Sequence, residues 1–355
     1  MTVSGCSAGA ASAHDDNLRH DHDQTFADYL TEVVRHLRDA WGVTFATLEP
    51  LNEPVSPFCH AGGFQQGCHF GREHQNRLLR LVAASLQEKG LDTRLAAPDE
   101  TNVELTRASF LSYEDDVKAA VARINTHTYG NKGDRAALRD VARANGKELW
   151  MSEICFASRP AVASTNDMHR HDLMKGPLDM AWAITADMRD LRPQAWVFWQ
   201  PLANEQYCID WYFNYGLIHA DYSGGTEQWW VTKKYYGYAH YSRFIRPGSR
   251  MIGIDAPDAV CFAQWNTGKL VIVTYNLPDA SRTRRYDLRT FTSLAGNAEV
   301  YRTSRTEDLA RLPSLPVRDG FLAVQEPGSS ITTYVLADAS YEGPAQRSEG
   351  HLAPR

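Results

Sequence analysis

Apolar residues recur at helical spacing from Thr25 to Trp41, where Phe26, Tyr29, Leu30, Val33, Val34, Leu37 and Trp41 share one stripe. One glycine later the run Val43-Thr44-Phe45-Ala46-Thr47-Leu48 reads as a buried strand. The two patterns then alternate, with helices over about 73–87, 113–123, 135–144, 168–190 and 234–244, and strands over 94–97, 124–129, 148–154 and 195–199. Met1–Gly5 reads as the end of one further strand ahead of the first helix. Such alternation predicts parallel βα units. Beyond Arg246-Pro247-Gly248 come short alternating segments at 251–254, 260–265, 270–276, 299–303, 321–324 and 331–336, separated by Gly, Pro, Asn and Asp. They predict a small β-sandwich. The expected division is a partial barrel over 1–246, a sandwich over 247–338 and a disordered tail over 339–355.

At 355 residues the chain exceeds one ordinary core, in keeping with a large domain plus a smaller one. With 43% hydrophobic and 23% charged residues, disorder and a membrane-spanning architecture are both poor readings. The net charge of −6 offers no attraction to phosphate backbones or anionic membranes, so neither nucleic acid nor membrane is an expected partner. The excess is aromatic, and neutral ligands fit better. Six cysteines are too sparse for a disulfide scaffold but compatible with one or two bridges in an exported enzyme. The N-terminus has neither the basic start nor the apolar stretch of a signal peptide, and Val3-Ser4-Gly5-Cys6 lies too close to Met1 for a lipoprotein cleavage box.

In a βα barrel the loops at the C-terminal strand ends form the one shared pocket. Here those ends are loaded: Glu49 and Asn52-Glu53-Pro54 after 43–48, Pro98-Asp99-Glu100 after 94–97, His127-Thr128-Tyr129, Ser152-Glu153, and Trp199-Gln200-Pro201. Any single glutamate at a strand end is more often solvated decoration. Two glutamates ending different strands, with Asn, His, Tyr and Trp at other ends, are what glycoside hydrolysis requires. A proline follows each glutamate, Pro50 after Glu49 and Pro54 after Glu53, and the two break the register between them, so Glu49 is expected to be structural, bonded to an arginine or to backbone in the barrel mouth.

Leu51-Asn52-Glu53-Pro54, Leu149-Trp150-Met151-Ser152-Glu153 and the sandwich after the last barrel helix together resemble glycoside hydrolase family 30, in the clan of (β/α)8 retaining glycosidases. The resemblance implies that Glu53, closing the fourth strand, is the acid/base. It further implies that Asn52 bonds the sugar 2-hydroxyl and that Glu153, closing the seventh strand, is the nucleophile. Glu49-Pro50-Leu51-Asn52-Glu53-Pro54 with Gln65-Gln66-Gly67-Cys68-His69-Phe70 looks like the endo-β-1,6-galactanase subgroup, whose second stretch is close to Gln-Glu-Gly-Cys-His-Phe; Gln66 departs from it. The implied fold is a TIM barrel lacking its first two βα units in this chain, followed by a small β-sandwich. Full-length enzymes of this kind are expected to be exported, acting as monomers on polysaccharide or oligosaccharide without a cofactor. Within the family, β-1,6-glucan, glucosylceramide and xylan are alternative substrates. A different reading is a carbohydrate-binding fragment whose barrel is too open to hold its glutamates for catalysis.

A retaining enzyme needs its two carboxyl groups within about 5–5.5 Å. His127 and Tyr129 are candidates to orient or bond Glu153, and Trp199 is a candidate sugar platform. Cys59-His60, Cys68-His69 and His74 contain soft ligands, but their spacing matches no familiar zinc pattern. A Cys59–Cys68 disulfide is the preferred alternative. His20-Asp21-His22 and His169-Arg170-His171 are expected to be solvated.

Overall fold

A computed structural model describes residues 2–63, 65–155, 171–211, 215–223 and 227–341. The tail expected beyond Tyr341, and the start of the helix expected from Met168, lie outside these residues. The chain divides into two compact units, Met1–Ile154 with Asp190–Phe198, and Cys155–Arg189 with Trp199–Arg355.

In the first unit, helix α1 (Asp23–Trp41) ends where Gly42 takes a left-handed φ of 66° and donates its N–H to Arg38 O. Strand β1 (Thr47–Leu48), helix α2 (Arg72–Glu88), strand β2 (Arg94–Ala96) and helices α3 (Val103–Ser112) and α4 (Asp115–Ala120) follow. Strand β3 (Val121–His127), helix α5 (Arg135–Ala144) and strands β4 (Glu148–Glu153) and β5 (Ala195–Trp196) complete the unit. The five strands form one parallel sheet in sequential order, half of a barrel, as the alternating pattern predicts.

Several expected boundaries move. Residues 2–5 form no strand; Thr2 makes one isolated bridge to Leu18, and Gly5 turns the chain at φ 71°. The run 43–48 contracts to two strand residues because β1 is the sheet's edge, leaving Val43 and Phe45 exposed at 41% and 38%. The helix expected over 113–123 is replaced by α3 and α4. Asn102 caps α3 through a bond from Leu105 N, which starts helix earlier, and the apolar Val121–Ile124 extends β3 backwards. On α1 the buried residues are Ala27, Thr31 and Val34, facing α2, while Tyr29, Val33 and Trp41 of the predicted stripe remain exposed.

In the second unit, α6 (Lys175–Ala186) runs into a π-helical turn at Asp187, so the long helix expected there is shorter and irregular at its end. A small sheet unforeseen in the sequence follows, of β6 (Leu202–Asn204), β7 (Ile218–Ala220) and β8 (Trp229–Val231), with α7 (Glu205–Trp211) between its first two strands. Helix α8 (Lys233–Ser242) precedes an eight-stranded antiparallel sheet of β9 (Arg250–Ile252), β10 (Ala259–Gln264), β11 (Lys269–Asn276), β12 (Arg282–Asp287), β13 (Asn297–Thr303), β14 (Ala310–Arg318), β15 (Phe321–Glu326) and β16 (Ser330–Leu336). Its core holds Leu270, Ile272, Val300, Leu322 and Tyr334. β12 and β14 were not foreseen: the Arg/Thr alternation of one and the two prolines of the other show no apolar face on a hydropathy pattern. Arg285 instead lays its guanidinium over the Phe321 ring, 3.4 Å from the centroid.

Candidate active site

The site is built where the C-terminal ends of β1 to β4 converge. After β1 the chain turns through Glu53 at φ 49°, a left-handed conformation unusual for glutamate. That turn is held by the end of β2. Glu53 N–H donates to Asp99 O at 2.9 Å, and Val55 N–H donates to Glu100 Oε2 at 3.1 Å. Asp99 is itself left-handed at φ 59° and donates its N–H to Asn125 O of β3 at 3.1 Å.

β3 and β4 are paired with a slip: Thr126 lies opposite Met151, but His127 lies opposite Glu153. The extra residue, Ser152, makes a bulge of the kind that re-aims side chains at active sites. Glu153 is thereby turned to the side of His127 instead of following Met151 into the helix-facing core. Ser152 spends its hydroxyl on Asp99 Oδ1.

The result is a compact group of charges around one imidazole. His127, fully buried, places Nδ1 3.0 Å from Glu53 Oε1 and 3.9 Å from Glu153 Oε1. Its Nε2 lies 3.3 Å from Asp99 Oδ1, charge-paired but off the hydrogen-bond line. Tyr129 OH donates to Glu153 Oε1 at 3.1 Å. An oxygen of Glu53, a nitrogen of His127 and an oxygen of Glu153 all lie within 4.8 Å of one another. Carboxyl groups stand about 5–5.5 Å apart in retaining glycosidases and roughly 6.5–9.5 Å apart in inverting ones.

The protonation states follow from those contacts. Burial lowers the His127 pKa, but Asp99, Glu53 and the charge of Glu153 outweigh it and raise it to about 10, so the ring is an imidazolium near neutrality. Glu153 is pushed above the usual carboxylate range by burial, against the pull of His127 and Tyr129 and with the help of Glu53 and Asp99. Glu100 rises to about 7, chiefly by burial, despite its bonds from Ser109 and Val55.

Glu49 is enclosed at the barrel mouth, but its partner is the Asn125 side chain and not the expected arginine or backbone. Asn125 Nδ2 donates to its Oε2, Asn125 in turn accepts from Arg123 Nε at 3.1 Å, and Oε1 is enclosed without a partner. Burial, then the charge of Asp99, raise Glu49 well above its ordinary range, against the bond from Asn125.

The structure thus brings together Glu53, His127, Tyr129 and Glu153. Asn52 is exposed on the Glu53 turn, and Trp199 belongs to the second unit, its ring 4.8 Å from Tyr215. The sequence places Asp99 at a loaded strand end but shows no role for it; it touches His127 and Ser152 and anchors the Glu53 backbone, and a left-handed aspartate leaves no mark in a hydropathy pattern. The expected Cys59–Cys68 disulfide is absent: both thiols are free. The Cys/His zinc reading also fails, because His74 gives both ring nitrogens to Asp16 and Asp23, at 2.7 and 2.8 Å, and Cys68 Sγ accepts from Asn17 N–H.

Residues 1–123 match the family model described as O-Glycosyl hydrolase family 30. An endo-beta-1,6-galactanase of Hypocrea rufa is 31% identical over 299 residues, covering 83% of this chain and 57% of the relative. An exo-beta-1,6-galactobiohydrolase of Bifidobacterium longum subsp. longum is 23% identical over 384 residues, covering 86% of this chain and 25% of the relative. The chain therefore spans little more than half of the first relative and a quarter of the second. Among solved structures, a conserved exported protein from Bacteroides fragilis superposes with a TM-score of 0.73 at 19% identity, covering 94% of this chain and 73% of that one. A GH30 endoxylanase from Clostridium papyrosolvens gives 0.67 at 21% identity, covering 90% and 72%.

Proposed function

We propose that the chain, whose residues 1–123 match O-glycosyl hydrolase family 30, carries the catalytic pair of a retaining endo-β-1,6-galactanase. The observation that supports this reading best is the placement of Glu53 and Glu153 oxygens within 4.8 Å on either side of one imidazolium. In the first step a Glu153 oxygen bonds to the anomeric carbon as the glycosidic C–O bond breaks, and the leaving oxygen takes the proton of Glu53. In the second, water attacks the anomeric carbon, its proton returns to Glu53, and the glycosyl–Glu153 ester is released. The His127 Nδ1 contact to Glu53 Oε1 at 3.0 Å fixes the orientation of the Glu53 carboxyl group through both steps. Tyr129 bonds Glu153 and favours its ionised, nucleophilic form. Asn52 is assigned to the sugar 2-hydroxyl and Trp199 to a sugar face.

The galactan assignment draws on the Hypocrea relative and on the Glu49–Pro54 and Gln65–Phe70 stretches. Export fits a substrate found outside cells; among the described residues no helix is long and apolar enough to cross a membrane. The test is reducing-sugar release from β-1,6-galactan, β-1,6-glucan and glucuronoxylan, with proton NMR of the first-formed anomer. Galactan cleavage with β-anomer first, lost in Glu153→Gln, is expected. A first-formed α-anomer, or turnover surviving in Glu153→Gln, overturns the mechanism. The exposed edge at Val43 and Phe45 favours a second reading, a protein that binds glycan without cleaving it. Saccharide binding by a folded but inactive chain would establish that reading.

A further inference from the structure

A second cluster of chemistry lies in the second unit. The Glu205 side chain, 9% exposed at the start of α7, sits between two histidines: His219 Nδ1 is 2.5 Å from Oε2, and His171 Nε2 is 3.3 Å from Oε1. His219, on β7, is fully buried. His171, expected to be a solvated residue, instead stacks on Trp230 of β8 with ring centroids 5.6 Å apart and 24° between planes. Both histidines act on the carboxylate. Burial opposes its ionisation, but the His171 and His219 bonds prevail and hold Glu205 far below the usual carboxylate range.

Two histidines and a glutamate invite a metal. The geometry argues for a proton instead. Ligands around a tetrahedral zinc, each about 2.0–2.2 Å from the ion, stand roughly 3.3 Å apart, whereas His219 Nδ1 and Glu205 Oε2 are separated by a hydrogen bond of 2.5 Å. What the histidines accomplish is to fix an ionised acceptor in one orientation.

That acceptor opens onto a cavity of about 390 Å³ whose walls include His171, Glu205, Gln206, Asp221, Ser223 and Trp230. Asp221 is a second carboxylate, oriented by a bond from Ser223 N–H at 2.8 Å. A pocket of this size, with fixed acceptors on one wall and an indole on another, suits a ligand that carries hydroxyls around an apolar ring face. Among the described lining residues there is no lysine or arginine to pair with a phosphate or sulfate. Exposed Tyr222 and Trp229, at 58% and 64%, extend the aromatic surface beside it in the chain.

We propose that this pocket is a saccharide-binding subsite in which Glu205 and Asp221 accept from sugar hydroxyls and Trp230 packs on a ring face, a reading that rests on the glycosidase assignment. The protein to use is the full chain as Glu153→Gln, with β-1,6-galactotetraose as the probe in calorimetry. Adding Trp230→Ala or Glu205→Gln is expected to weaken binding about tenfold or more, while Trp230→Phe stays within about threefold of the parent, as stacking requires. Unchanged affinity in Trp230→Ala and Glu205→Gln proteins that melt like the parent overturns the proposal. So does stoichiometric zinc or calcium binding that Glu205→Gln abolishes while sugar binding persists. Wild-type turnover of galactan, measured separately, tells the two failures apart: an inactive wild type whose tetraose binding still depends on Trp230 removes the hydrolase assignment and leaves the subsite standing.

Discussion

Replacing Asp99 with Asn tests the charge arrangement at the site with little geometric disturbance. The side chains are isosteric, and asparagine tolerates the left-handed φ of 59° at this position. The backbone bonds from Glu53 N–H to Asp99 O and from Asp99 N–H to Asn125 O survive. What is removed is one negative charge 3.3 Å from Nε2 of a fully buried imidazolium. In the native site His127 binds its proton up to a pH of about 10, against 6.5 as an ordinary value. A group whose pKa is higher folded than unfolded stabilises the fold fully below about 6.5, and that contribution is lost as pH rises to about 10. At about 1.4 kcal/mol for each unit, the shift corresponds to an upper limit of about 5 kcal/mol shared among Asp99, Glu53 and Glu153. Removing Asp99 should therefore destabilise the protein by on the order of 2 kcal/mol at pH 6.5, with the gap to wild type closing towards pH 10. Urea unfolding followed by tryptophan fluorescence at half-unit pH steps measures the gap directly. A gap that stays constant across this window, or coincident curves, would show that Asp99 does not hold the proton on His127.

Three further expectations concern the same cluster. Tyr129→Phe removes a donor that favours ionised Glu153, so the acid limb of the kcat/KM profile should move to higher pH with the alkaline limb in place; an unmoved acid limb refutes the contact as a tuning device. Glu100, raised to about 7 by burial, binds its proton more tightly folded than unfolded, so it should make the protein more stable as pH falls from 7 towards 4.5, by at most about 3 kcal/mol. Glu100→Gln should flatten that stretch of the stability curve, and a slope equal to wild type rules the assignment out. Glu49→Gln should keep stability within about 1 kcal/mol and retain kcat, because glutamine keeps the shape and the oxygen that accepts from Asn125 Nδ2; loss of activity with the fold intact would place Glu49 in the catalytic machinery.

Much of this site was legible because its chemistry sits at the ends of apolar runs. Glu53, His127, Tyr129 and Glu153 each close or follow a strand, and the order of strands is the order of the chain. Asp99 was not legible in its role. Its importance comes from a turned backbone and from a neighbour two strands away, neither of which alters local composition. The His171–Glu205–His219 group escaped for a related reason: the small sheet that assembles it consists of three-residue strands, too short for any periodicity to register. The apolar stripe on α1 was read correctly as apolar but only partly as buried. Hydropathy shows which face seeks cover, and packing shows how much of it finds cover.

That uncovered face bears on how the polypeptide behaves in bulk. β1 has a strand neighbour on one side only, and Val43 and Phe45 just ahead of it stand in water. An edge strand beside apolar side chains is a template for a strand from another molecule, and as concentration rises pairing between molecules at this edge competes with dispersal. A lysine introduced by Phe45→Lys would act as a gatekeeper there, raising the concentration at which light scattering begins while leaving the strand-end chemistry on the far side of β1 untouched.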